Sequence, residues 1–203
     1  NATEENARDF ALGFDFSEHD NEQLKGVSRM ESLEIILQLG NRTLDQKTKE
    51  ELALKKNDWY VEFIEDVNPD EMLPGVANFL AELKANNIKI ALGSASKNSM
   101  MILEKLNITH YFDAIIDGTK TTKSKPDPQV FLMGASAVNE EPANCVVFED
   151  AQKGVQAAKA GGMFCVGVGT AENLPEADFT IKSLAELTWG SLESKYAAAI
   201  ITA

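Results

Sequence analysis

Three short stretches carry polar groups in an order that suits phosphate chemistry. In IKIALGSASKNS (88–99) an apolar run ends at Ser94, and Ser96, Lys97 and Asn98 open the segment that follows. Hydroxyls and free backbone N–H groups at a helix start can cradle an anion, although Ser94 or Ser96 could equally serve as a helix cap. In TKSKPDPQVF (122–131) Pro126 holds Lys125 extended, and Asp127 can cap a helix with Pro128 at its first position. A lysine fixed in this way could neutralise a phosphoryl group; the alternative is a solvated surface lysine. In VVFEDAQKGVQAAKAGG (146–162) Glu149 and Asp150 end an apolar run. Adjacent carboxylates repel unless a cation lies between them, which suggests Mg²⁺; otherwise they are an exposed acidic pair with Asp150 as N-cap. Gly154 would let the following helix approach the sheet closely.

The elements that must position these loops read as two modules. Residues 21–39 carry a loop around Gly26 and then Leu33, Ile36, Leu37 and Leu39 at helical spacing, and residues 46–66 repeat the pattern. No strand candidate precedes residue 67. Beyond Asn68 the chain alternates helices with short apolar runs at 88–94, 114–117, 145–150, 164–169 and 179–181. That alternation predicts a parallel sheet with helices on both faces. The expected division is a helical module over 1–67, an α/β module over 68–190 and a terminal tail over 191–203. In open α/β sheets ligands bind beyond the carboxyl ends of the strands, where all three loops fall.

Composition narrows the partners. The 203 residues hold 32 acidic and 19 basic side chains, a net charge of −13. Nucleic acids and anionic membranes recruit clustered Lys and Arg, so neither is an expected partner. No apolar run reaches the ~18–20 residues of a membrane span, and the N-terminus is too polar for a signal peptide. Cys145 and Cys165 lie inside apolar runs and read as buried, reduced thiols. The N-x-T triplets at Asn1, Asn41 and Asn107 read as chance matches, and His19 and His110 fall outside the three loops. A cytoplasmic monomer is the expectation.

Taken together, the loops resemble the motifs of the haloacid dehalogenase superfamily of aspartate-nucleophile phosphotransferases. Ser94 matches its strand-ending Ser or Thr, Lys125 its lysine before a helix, and Glu149, Asp150 and Gly154 its acidic strand end with a downstream glycine. The resemblance implies a Rossmann-like α/β core with a helical cap. Within that superfamily LKGVSRMESL (24–33), KKND (55–58) and SASKN (94–98) look like the β-phosphoglucomutase family. There the first segment grips the substrate's distal phosphate, a role the resemblance gives to Arg29, with Lys25, Gly26, Ser28 and Ser32 nearby. Lys56, Ser96, Lys97 and Asn98 join the implied substrate-binding set. An arginine's planar fork suits phosphate oxygens; the plainer reading of Arg29 is a surface helix arginine.

The resemblance further implies phosphoryl transfer through an aspartyl-phosphate with Mg²⁺ on Glu149 and Asp150, and with Lys125 and Ser94 balancing phosphoryl charge. β-D-Glucose 1-phosphate and glucose 6-phosphate would interconvert through a hexose bisphosphate. A sugar-phosphate phosphatase shares the chemistry up to the phosphoenzyme, and a non-catalytic phosphosugar-binding protein is a further alternative. The family's Asp-x-Asp strand, which supplies the nucleophile and the general acid/base, has no match in these residues; Asp15 to Asp20 follow no strand. The expectation is therefore an incomplete version of a functional enzyme rather than a natural pseudoenzyme.

Overall fold

Alternation at every second residue builds the two layers of the sheet region. In the computed structural model, which describes residues 16–201, β3 (Val146–Glu149) turns Val146 and Phe148 towards one apolar layer and Val147 towards the other. Its parallel neighbour β4 (Phe164–Val168) divides likewise, with Phe164, Val166 and Val168 on the first side and Cys165 on the second. The first layer is completed by Phe79, Leu80 and Leu83 of α4 (Val76–Ala85) and by Leu192 of α8 (Trp189–Ile201). The second holds Ala135 of α6 (Gln129–Ala137) with Val155 and Ala158 of α7 (Gln152–Ala160).

Among the described residues all strand pairings are parallel, as the alternating pattern predicts. β1 (Ala91–Gly93) pairs with β2 (Ala114–Ile116), and β3, β4 and β5 (Phe179–Ile181) form the second set. Among the described residues these are two sheets, since β1 and β3 are not hydrogen-bonded to each other. Both strands nevertheless end at the same place, where Lys125 reaches from the Gly93 carbonyl to Glu149. Strands are shorter than the apolar runs that mark them; Ile88, for example, packs against the core outside any strand.

The first module is helical throughout its described residues: α1 (Glu18–Glu22), α2 (Arg29–Leu39) and α3 (Gln46–Glu65). Ser28 and Asp45 cap α2 and α3 by accepting from the N–H groups of Glu31 and Thr48. The two helices bury Leu33, Ile36, Leu37, Ala53 and Ile64, and Lys49 joins Glu34 across them at 2.7 Å. Asp15 lies outside the described residues; Asp20 belongs to the capping box that starts α1, a helical rather than a strand setting. The C-terminal stretch also differs from the expected tail. Residues 189–201 form α8, anchored by buried Leu192 and by the Tyr196 hydroxyl donating to the Ala143 carbonyl at 2.6 Å.

Candidate functional site

Lys125 is a buried cation, which excludes the solvated surface lysine. Only 6% of it is exposed. Its Nζ is ion-paired with the Glu149 carboxylate, lies 3.4 Å from the Gly93 carbonyl oxygen and sits 4.6 Å from the centre of the Phe131 ring. Burial of a charge costs several kcal/mol unless it is paired and hydrogen-bonded, so this set of partners defines where the ammonium must be. Asp127 is not the cap of the following helix, because the N-cap of α6 is Pro128 and regular α6 begins at Gln129; the Asp127 carboxylate instead accepts from the Gln129 N–H at 3.0 Å and holds the turn before it.

The acidic strand end resolves into two different groups. Glu149 is the last residue of β3 and points inward, where its second oxygen accepts from the Ala151 N–H at 3.3 Å. Asp150 lies beyond the strand and is exposed. The strand ends between them, so adjacency in sequence separates the buried Glu149 carboxylate from the exposed Asp150 one instead of pairing them. Lys125 supplies the charge that Glu149 needs. Asp150 is not the cap of α7 either: the N-cap is Ala151, with no side-chain bond. Gly154 fulfils its expected role, since a Cβ there would overlap the Glu149 carboxylate.

Among the described residues no three His, Cys, Asp or Glu side chains cluster into a closed metal cage. Mg²⁺ does not require one, because it commonly keeps water and takes one or two carboxylates together with substrate phosphate oxygens. Asp150 fits that pattern as an exposed, hard oxygen donor at a strand end.

Neither Ser94 nor Ser96 caps the helix that follows, whose N-cap is Asn98 with no side-chain bond. The Ser94 Oγ accepts from the Ser96 N–H and the Ser96 Oγ from the Asn98 N–H, each at 3.1 Å. Each serine thus stabilises the turn ahead of α5 (Ser99–Lys105) through a lone pair, which leaves the hydroxyl proton for an incoming acceptor. Lys97 is exposed.

The helical module meets this site through Gly26. With φ at +77°, Gly26 makes the turn between α1 and α2, and a Cβ on it would lie 3.4 Å from the Lys125 Cδ and 3.6 Å from the Ala151 Cβ. Of the remaining predicted substrate residues, Arg29, Ser32 and Lys56 come together around a cavity of ≈ 10 Å³ between α2 and α3. Burial pushes the Lys56 ammonium below its usual pKa, and the Arg29 charge adds to the effect. Burial also lowers Arg29, opposed by Asp58. Ser28 is the cap of α2, and Lys25 pairs with Glu22 at 2.9 Å on its own module.

One residue outside the predicted set joins the modules. Asn57 of α3 accepts from the Arg29 Nη2 at 2.5 Å and from the Asn98 Nδ2 at 2.9 Å. No spacing rule separates it from the other polar residues of that long helix; only its place in KKND brings it near the segments singled out by resemblance.

A parallel α/β fold with a helical cap, a buried strand-end lysine and an acidic strand tip defines the class. Residues 2–162 match the haloacid dehalogenase-like hydrolase family, and the chain belongs to it. It is similar to the β-phosphoglucomutase of Bacillus subtilis (strain 168), with 42% identity over 178 residues, 87% of this chain and 79% of that protein. The crystal structure of β-phosphoglucomutase from Clostridium difficile superposes with a TM-score of 0.92 at 40% identity, covering 98% of this chain and 90% of the other. Hexitol phosphatase B of Escherichia coli (strain K12) is 35% identical over 135 residues, 63% of this chain and 60% of its own length.

Proposed function

We propose that the cleft between helical cap and sheet binds a phosphorylated sugar for phosphoryl transfer of the β-phosphoglucomutase kind. The reaction would interconvert β-D-glucose 1-phosphate and glucose 6-phosphate through an aspartyl-phosphate and a hexose bisphosphate. The observation that carries this reading is the Gly26 turn packed against buried Lys125, which puts the cap loop over the strand ends. Identity of 42% to a β-phosphoglucomutase supports it.

The residues present divide the work by their surroundings. Lys125 would face the transferring phosphoryl group with a charge fixed by Glu149, Gly93 and Phe131, so little reorganisation is needed as negative charge moves. Ser94 would donate its free proton to a phosphoryl oxygen. Asp150 would hold Mg²⁺, which when bound neutralises charge on the phosphoryl oxygens. Arg29, Asn98, Ser96 and Lys97 would take the distal phosphate and orient the sugar. No Asp-x-Asp pair occurs in the 203 residues, so nucleophilic and acid/base roles are assigned to none of them.

Expressed from its whole gene and supplied with Mg²⁺ and catalytic hexose bisphosphate, the protein is expected to turn β-D-glucose 1-phosphate into glucose 6-phosphate. Release of inorganic phosphate from several sugar phosphates without isomerisation would instead establish the phosphatase reading, which the likeness to hexitol phosphatase B supports. Binding of phosphosugars with neither product would defeat both.

A further inference from the structure

We infer that Asn57 is a positioning residue that latches the cap onto the core before substrate arrives, its amide oxygen holding the place of a phosphate oxygen. This rests on reading the cleft as a phosphosugar site.

The orientation of the Asn57 amide follows from its partners. An arginine has donors only, so the Asn57 atom facing the Arg29 Nη2 is the carbonyl oxygen. The Asn98 atom facing that same oxygen must then be its NH₂ group. One oxygen therefore uses both lone pairs on donors from opposite sides of the cleft: Arg29 at the start of α2 in the cap, and Asn98 ahead of α5 in the core. Asn98 is itself held, its N–H donating to the Ser96 Oγ at 3.1 Å.

An arginine fork together with an amide NH₂ is a donor pair that suits a phosphate oxygen. Asn57 offers these donors a neutral oxygen of the same hydrogen-bonding type. A neutral acceptor holds charged donors more weakly than a phosphate dianion does, so the dianion takes both donors over while the cleft stays closed. Before binding, the same contacts keep Arg29 and Asn98 near each other and spare the ligand part of the cost of assembling its site. A carboxylate at position 57 would retain the latch but compete with the phosphate and repel it.

The test compares Asn57→Ala and Asn57→Asp with the parent in two measurements. Spin labels are placed on cysteines at exposed Lys47 of α3 and exposed Glu104 of α5, in a Cys145→Ser background. Alanine is the better helix former, so α3 is expected to persist in the first variant. Without ligand, N57A should lengthen and broaden the distance distribution, and N57D should keep the parental one. In calorimetric titration with glucose 6-phosphate, N57A should weaken binding by ~3–10-fold, the loss of one organising hydrogen-bond acceptor. N57D should weaken binding by ~30-fold or more, because a fixed negative charge beside a dianion costs at least ~2 kcal/mol in a partly buried cleft. Salt should restore part of the N57D loss, and saturating ligand should close N57A. Parental distances in N57A, or parental affinity in N57D, would overturn the latch. If the parent itself fails to bind glucose 6-phosphate, the phosphosugar reading falls, and the ligand-free distances still decide whether Asn57 closes the cleft.

Discussion

Lys125 and Glu149 neutralise each other inside the protein, with only 6% and 7% of their surfaces exposed. They come from different segments, the loop before α6 and the end of β3. Their pairing therefore fixes the distance between two of the loops that form the site. Removing one partner strands the other as an uncompensated buried charge. Glu149→Gln is expected to cost about 3 kcal/mol of stability, and Lys125→Met a comparable amount. The double replacement Lys125→Met with Glu149→Gln should cost clearly less than the sum. Urea denaturation of the four proteins measures the coupling, and simple additivity would show that the pair is not the connection between these loops.

The same carboxylate constrains α7. A methyl group on Gly154 would overlap it, and Glu149 has little freedom to withdraw while Lys125 and the Ala151 N–H hold both of its oxygens. Gly154→Ala would ordinarily favour a helix by up to about 1 kcal/mol. Here it is expected to destabilise by about 2 kcal/mol, because overpacking against a fixed group outweighs propensity. In the Glu149→Ala background the sign should reverse. A stabilising Gly154→Ala in the parent would mean that the overlap is relieved cheaply.

Much of this site was legible in the sequence because hydrophobic runs mark where strands end, and strand ends mark where ligands bind. Ser94, Lys125 and Glu149 could thus be singled out without coordinates. Their partners could not. The pairing of Lys125 with Glu149 spans 24 residues and depends on how two loops fold back, which local patterning does not encode. Glu149 beside Asp150 read as one acidic site, whereas the strand ends at buried Glu149 and leaves Asp150 past it at the surface. Asn57 sits among many polar residues of α3, and its role arises only when the cap lies on the core. Helix α8 was hidden because AAAIITA has no polar face to give a period; a buried leucine and one tyrosine hydroxyl anchor it.

Asp113 provides a pH-dependent staple at the start of β1. Its carboxylate accepts from the Ile90 N–H at 2.9 Å and pairs with Lys84 at 3.0 Å. The bond from Ile90 is the main reason its pKa lies below the usual 3.8, with Lys84 and Lys89 adding to it. A carboxylate with a depressed folded-state pKa contributes stability that is fully present above the unfolded value and is lost as pH falls through the folded one. Asp113→Asn should therefore destabilise the protein at pH 7, and the difference from the parent should shrink below pH 3.8. Urea midpoints of both proteins at pH 7 and pH 3 provide the comparison. A difference of equal size at the two values would mean that the ionised form of Asp113 is not what matters.

The two thiols differ in a way that reports on the sheet. Cys165 lies wholly within the layer formed by Val147, Val155 and Ala158, with 0% exposure. Burial, reinforced by Glu149 and Asp178, pushes its pKa up to about 12. Since the thiolate is the reactive form, Cys165 should resist a thiol reagent at pH 8 for as long as β3 and β4 stay packed. Cys145 is half-buried; burial and then Glu140 raise its pKa, and its Sγ donates to the Glu141 carbonyl at 3.4 Å. It should react first but more slowly than a free thiol. Labelling followed by peptide mass analysis should find Cys145 alone in native protein and both residues in urea. Glu149→Gln should shift this balance, because loss of the buried pair loosens the end of β3 and opens the layer that covers Cys165. Native labelling of Cys165 in the variant, tracking its loss of stability, would tie the lysine–glutamate pair to the packing of the whole sheet; unchanged protection would confine its influence to the strand tip.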